Sequence, residues 1–147
     1  MGILNVTPDS FFDGGQNMRL TDIIKSTEKM ISDGATFIDI GGYSSRPGAD
    51  DISVEEELRR VVHVIDALVK TFPDIIISID TFRSRIAKAS VEAGAAIVND
   101  ISGGLLDDQM LSMVGSLQVP YIMMHMKGTP QNMKEKAIYE NVPHEVI

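Results

Sequence analysis

The 147 residues carry 21 acidic and 13 basic side chains, a formal net charge of −8, and no cysteine. Disulfides, thiolate metal sites and a cysteine nucleophile are excluded, and the acidic balance argues against a chain whose main work is gripping nucleic acid. With 44% apolar and 23% charged residues the composition is that of one globular domain with a real core, and no apolar run approaches a membrane span. Met1-Gly2-Ile3-Leu4 offers no basic segment followed by an apolar stretch, so no secretory signal is expected and the cytoplasm is the expected location.

In chain order, short strand-like runs fall at Ile3–Val6, Thr36–Ile40, Ile75–Ile79, Ala96–Val98 and Tyr121–Met124. Helix-period segments lie between them. Ile23, Ile24, Thr27, Met30 and Ile31 form the first, with Gly34 as its stop. In the second, Val54, Leu58, Val61, Val62, Ile65, Leu68 and Val69 share one stripe, and Glu55, Glu57, Arg59, Arg60, Asp66 and Lys70 occupy the polar remainder. Ser53 with Glu56 reads as its capping box, and Pro73 closes it. Ile86, Ala89, Ser90 and Ala93 suggest a third helix stopped by Gly94. Met110, Leu111 and Val114 suggest a fourth stopped by Gly115. A fifth is expected under way at Val142–Ile147.

Strands alternating with helices imply an α/β fold with parallel strands and right-handed crossovers. Asn5, the loop Gly41 to Arg46, Asp80, Asn99 with Asp100, and His125 each fall at the carboxyl end of a strand. A barrel gathers such ends on one rim, whereas an open sheet concentrates them at one switch point. No G-x-G-x-x-G follows the first strand, so a (β/α)₈ barrel is favoured, with about its first five βα units present.

The loop from Asn5 to Gly15 has the Pro and paired Gly of a lid. Phe11 and Phe12 either pack on the rim or cover an apolar ligand. Asn5 offers a neutral oxygen suited to a Mg²⁺ held mainly by substrate phosphates, or simply to its own loop. Gly41-Gly42-Tyr43-Ser44-Ser45-Arg46-Pro47-Gly48-Ala49 combines backbone N–H groups with a fixed charge, suited to an anion or merely to a surface turn. Asp80, Ser78 and Ile76 share one side of a strand, and Asn99 shares a side with Ile97. A carboxylate beside an amide suits a heterocycle with amide-like edges; Asp80 or Thr81 alternatively caps the following helix. Asp39, inside a strand, needs partners that the sequence does not name. No two histidines have ligand spacing, and Met123, Met124 and Met126 read first as core.

Five segments, taken together and in order, resemble dihydropteroate synthase. They are Met1-Gly2-Ile3-Leu4-Asn5-Val6-Thr7-Pro8-Asp9-Ser10-Phe11, Asp39 to Ala49, Ser78-Ile79-Asp80-Thr81-Phe82-Arg83, Gly94 to Ile101, and Met124-His125-Met126-Lys127-Gly128-Thr129-Pro130. The resemblance implies a pterin-binding barrel that condenses 6-hydroxymethyl-7,8-dihydropterin diphosphate with 4-aminobenzoate, giving 7,8-dihydropteroate and pyrophosphate. It implies Asn5 as a Mg²⁺ ligand, and Asp80 and Asn99 on the pterin with Ile101 and Met124 lining its pocket. Phe11, Ser45, Arg46 and Pro47 would surround the aminobenzoate and the reacting carbon, Asp13 would order the first loop, and sulfonamides would compete there. Asp80, Asn99 and Arg46 are the expected catalytic residues. Small-molecule substrates are the expected partners, without nucleic acid or membrane, and the family's homodimer is open to the full-length chain.

The family pattern usually has Ser at Phe12, Glu at Tyr43 and Thr at Ser45. A full barrel needs about 250 residues, so a fragment ending before strands six to eight, inactive alone, is expected. A methyltetrahydrofolate–corrinoid methyltransferase would share the pterin contacts, but the Thr7 to Phe11 and Ser45-Arg46-Pro47 loops speak against it. A non-catalytic pterin-binding half-barrel is the other alternative.

Overall fold

The computed structural model describes residues 1–7, 20–44, 51–130 and 132–147; Phe11, Phe12, Asp13, Ser45, Arg46 and Pro47 lie outside them. Among the described residues five parallel strands form one sheet in the order β1-β2-β3-β4-β5. The strands are β1 (Gly2–Asn5), β2 (Phe37–Gly41), β3 (Ile76–Asp80), β4 (Ile97–Asp100) and β5 (Tyr121–Met123). The order runs in sequence without reversal, as in a barrel wall and unlike a doubly wound sheet.

Between them lie α1 (Leu20–Ser32), α2 (Val54–Thr71), α3 (Ser84–Glu92) and α4 (Met110–Leu117). Ser53 caps α2 by accepting the Glu56 N–H at 3.1 Å, and Pro73 follows its end. On α2, Val61, Val64, Ile65 and Leu68 are buried against the sheet, with Val54, Leu58, Val62 and Val69 packed beside them. Glu57 departs from the expected polar face and is fully buried. Its position four residues before Val61 places it on the core stripe, one turn nearer the rim. Gly34 and Gly94 follow α1 and α3 with φ of 99° and 117°, conformations that glycine adopts without a Cβ penalty.

Gly115 does not stop α4, which continues to Leu117; Gln118 instead adopts the left-handed conformation at φ 55°. The segment after β5 holds the helix expected from Val142 and a shorter one before it. It folds into α5 (Met133–Lys136) and α6 (Val142–Val146), with Asn141 capping α6 through the His144 N–H at 3.2 Å. Lys127 ties this tail down by bonding the Ile138 carbonyl at 2.8 Å and pairing with Glu145.

The core lies between the sheet and the helices. Leu4, Ile38, Ile40, Ile77, Ile79 and Val98 all point to the helix side and are at most 1% exposed. Parity then sends Ile3, Asn5, Asp39, Gly41, Ser78, Asp80, Ile97 and Asn99 to the opposite face. On that face Ile3 is 65% exposed, so the five strands leave it open at the β1 edge.

Candidate functional site on the inner face

Register aligns the last inward-facing residue of each strand. Asn5 pairs with Gly41, Gly41 with Asp80, Asp80 with Asn99, and Asn99 with Ile122. One row at the carboxyl ends therefore holds an amide, a gap, a carboxylate, an amide and an apolar side chain. The gap is space that no side chain of Gly41 fills. A Cβ on Gly41 would stand 3.3 Å from Asn5 Oδ1 and 3.4 Å from Asp80 Oδ2, so these two oxygens converge over the glycine.

The row beneath holds Asp39, Ser78 and Ile97. Asn99 Nδ2 donates to Asp39 Oδ2 at 3.0 Å across the intervening β3. Strands two places apart are roughly 9.5 Å apart in a flat sheet. A direct side-chain bond over that span requires the inner face to be concave. Asp39 Oδ1 and the Ser78 hydroxyl are buried without a hydrogen-bond partner.

Asp80 is only partly buried, and its carboxylate makes no hydrogen bond among the described residues. Burial pushes it up to about 7, and the negative charges of Asp39, Glu57 and Asp100 push the same way. A half-protonated carboxyl at neutral pH, facing an open concavity, is a group awaiting a donor or a cation. It does not cap α3. The Ser84 N–H is taken by Asp107 Oδ2 at 2.7 Å, while Thr81 Oγ1 accepts the Arg83 N–H at 3.2 Å.

Asp100 faces away from this row. It accepts from the N–H and hydroxyl of Ser102, the Gly104 N–H and the Tyr121 hydroxyl, and so shapes the turn after β4. That turn carries Ile101, which is partly buried, and the Asp100 carbonyl accepts the Met124 N–H at 3.1 Å. Ile101 and Met124 thus stand just beyond β4 and β5 on the same rim, with Met124 38% exposed. His125 packs its ring against Tyr139, 5.7 Å between centroids, and belongs to the tail.

Asn5, Asp80 and Asn99, read as separate strand ends, are brought into one row, while Phe11, Asp13, Ser45, Arg46 and Pro47 lie outside the described residues. Sequence reasoning missed Asp39 as a site residue, although it has the parity of Gly41 in an apolar strand. It also missed a buried network beside the site. Glu57 Oε1 accepts from the Thr81 hydroxyl at 2.9 Å, and Glu57 Oε2 pairs with Arg83 at 2.8 Å. Desolvation still raises the Glu57 pKa above the ordinary carboxylate value, with Thr81 and Arg83 opposing it.

Among the described residues no group of three or more His, Cys, Asp or Glu could hold a metal ion. No helix among them is long and apolar enough to cross a membrane.

The family model for pterin binding enzymes matches residues 1–147. The folic acid synthesis protein fol1 of Schizosaccharomyces pombe is 54% identical over 95% of the chain and 19% of its own length. The dihydropteroate synthase of Escherichia coli is 46% identical over 99% of the chain and 51% of its own length. A Yersinia pestis dihydropteroate synthase solved with a sulfonamide drug superposes with a TM-score of 0.85 at 41% identity, covering 99% of this chain and 52% of that one. The chain therefore spans about half, or less, of the relatives it matches. The parallel sheet, its uninterrupted strand order and the family match agree: this chain belongs to the pterin-binding enzyme family.

Proposed function

We propose that the protein carrying this chain is a dihydropteroate synthase, joining a dihydropterin diphosphate to 4-aminobenzoate with release of pyrophosphate. The observation that carries this reading is the row Asn5–Gly41–Asp80–Asn99 on a concave face. It offers a carboxylate and an amide to the N–H-rich edge of a flat heterocycle, with Ile101 and Met124 as apolar walls. Relatives named dihydropteroate synthase support the reading, as do Xanthomonas albilineans dihydropteroate synthase structures solved with 4-aminobenzoic acid and with 7,8-dihydropteroate.

In the proposed reaction the bond between the pterin methylene carbon and the diphosphate oxygen breaks, and its electron pair leaves with pyrophosphate. The arylamine nitrogen then bonds to that carbon and loses one proton. Positive charge spreads into the ring during departure. Asp80, already in a field of three other carboxylates, stabilises that charge more than it stabilises the neutral ground state. Asn99, oriented by Asp39, holds the ring in register with Asp80. Ser45, Arg46, Pro47 and Phe11 would stand around the aminobenzoate and the reacting carbon, with Asp13 ordering the first loop. Sulfonamides would occupy the aminobenzoate position.

Among the described residues, a divalent ion fits this site at the end of the row. Asn5 Oδ1 is a single neutral ligand at the row's end, which suits Mg²⁺ carried mostly by substrate phosphates and water. When bound, Mg²⁺ neutralises charge on the departing diphosphate. The same reading places the enzyme in the cytoplasm, with the homodimer of the family for the full-length chain. Incubating the protein carrying this chain with both substrates and Mg²⁺ tests the proposal. Equimolar pyrophosphate and dihydropteroate, dependent on the arylamine, are expected; pterin binding with neither product overturns it.

A further inference from the structure

The loop joining β2 to α2 begins at Gly42 and ends at Ser53, and one guanidinium holds both of its ends. Arg83 donates to the Ile52 carbonyl at 2.8 Å and to Asp51 Oδ1 at 3.2 Å on the outgoing side. On the incoming side its guanidinium carbon lies 5.2 Å from the centre of the Tyr43 ring. Phe82 closes the stack, edge-on to Tyr43 with centroids 5.0 Å apart. Behind Arg83 stands Glu57, fully buried, pairing with it at 2.8 Å. Gly42 is held separately, its carbonyl accepting from Arg60 at 3.1 Å.

A buried carboxylate is costly unless its partner is fixed, so Glu57 fixes Arg83 as much as Arg83 neutralises Glu57. Arg83 is three residues beyond Asp80, and its main chain continues from the strand that delivers Asp80. The clamp thus refers the β2–α2 loop to the same strand that carries the site's carboxylate. A planar guanidinium suits this task because it forks to three acceptors while lying over a ring.

We propose that Arg83, backed by Glu57 and faced by Tyr43, is a positioning residue that sets the β2–α2 loop against Asp80. It touches neither substrate. The consequence for catalysis rests on the dihydropteroate synthase reading, in which Ser45 and Arg46 on this loop surround the arylamine. Loosening the clamp then weakens arylamine use while leaving the pterin row of Asp80 and Asn99 intact.

Two measurements on the protein carrying this chain test this. Hydrogen exchange is compared in the wild type, Tyr43→Leu, Tyr43→Phe and Arg83→Lys. Faster exchange at residues 43–53 in Tyr43→Leu and Arg83→Lys, with α2 and α3 unchanged, is expected; Tyr43→Phe keeps the ring but loses the hydroxyl's hydrogen bond to Asp51, and should fall between Tyr43→Leu and the wild type. Unchanged exchange at 43–53 in both altered proteins overturns the clamp, whatever the activity. Kinetically, KM for 4-aminobenzoate is expected to rise roughly three- to thirtyfold in Tyr43→Leu, the range of one cation–π contact. KM for the pterin diphosphate should stay constant, and Tyr43→Phe, which keeps the ring but not the hydroxyl's bond to Asp51, should recover most of the wild-type value. Both KM values rising together with a lower Tm overturns positioning in favour of general loosening. A wild type that forms no dihydropteroate refutes the functional reading alone, since hydrogen exchange still decides the clamp.

Discussion

Asn99 and Asp39 are joined by a 3.0 Å bond that passes over β3, and this bond sets the polarity of the inner row. Asp39 accepts from Nδ2, so the Asn99 carbonyl oxygen is left to accept from a ligand. The pocket then presents acceptors from both Asn99 and Asp80. Replacing Asp39 by Asn removes that constraint and one of the negative charges that raise Asp80. Substrate affinity should fall by about 1.5–3 kcal/mol, the worth of a hydrogen bond to a charged group. The acid limb of kcat/KM for the pterin diphosphate should also move to lower pH, because Asp80 then ionises more readily. A pH–rate profile of Asp39→Asn checks both effects.

Asp80 should trade stability for function. Its carboxyl is raised from 3.8 to about 7, so between those values the folded protein holds a proton that the unfolded chain has lost. Stability therefore falls as pH rises through this window and is level above it. The cost above pH 7 has a ceiling of about 4 kcal/mol. Asp80→Asn should be more stable than wild type at pH 8 and equal to it below the unfolded value. Thermal unfolding at several pH values checks the sign. The same variant should lose about 10²–10³-fold in kcat, as expected when an electrostatic group at the reacting centre is removed.

Gly41 and Gly42 are adjacent glycines with different expected penalties. A Cβ on Gly41 meets Asn5 Oδ1 and Asp80 Oδ2 at 3.3 and 3.4 Å and Asp80 Cβ at 3.7 Å. Gly41→Ala should fold with little change in Tm and bind the pterin diphosphate about tenfold or more weakly, since it fills ligand space. A Cβ on Gly42 would stand 2.6 Å from Val61 Cγ1 and 3.2 Å from Glu57 Cγ. Gly42→Ala should lose about 1–3 kcal/mol of stability through overpacking. Denaturant titration beside a binding assay separates the two.

Much of the fold was legible because local signals and packing agree. The period-two parity of Ile77, Ser78, Ile79 and Asp80 told which side chains meet the helices and which face inward. Ser53 and Pro73 bounded α2 correctly. Gly115 misled because an exposed glycine can be carried inside a helix at modest cost, and Gln118 supplied the left-handed turn instead. Glu57 misled for a different reason. Its charge reads as solvent-facing, and its partners Thr81 and Arg83 are 24 and 26 residues away. Asp39 and Asn99 are 60 residues apart and meet only because the sheet curves. Periodicity assigns a face to each residue; it does not say how far that face bends.

The most direct test of the central claim is calorimetric titration of the protein carrying this chain with 6-hydroxymethyl-7,8-dihydropterin between pH 5 and 9. Asp80 binding the ring as a carboxylate predicts level affinity above about pH 7, roughly tenfold weaker binding per pH unit below it, and proton release on binding in that acid range. Asp80→Asn should lose both the affinity and the proton release. Pterin binding that is independent of pH and unchanged in Asp80→Asn would contradict the account.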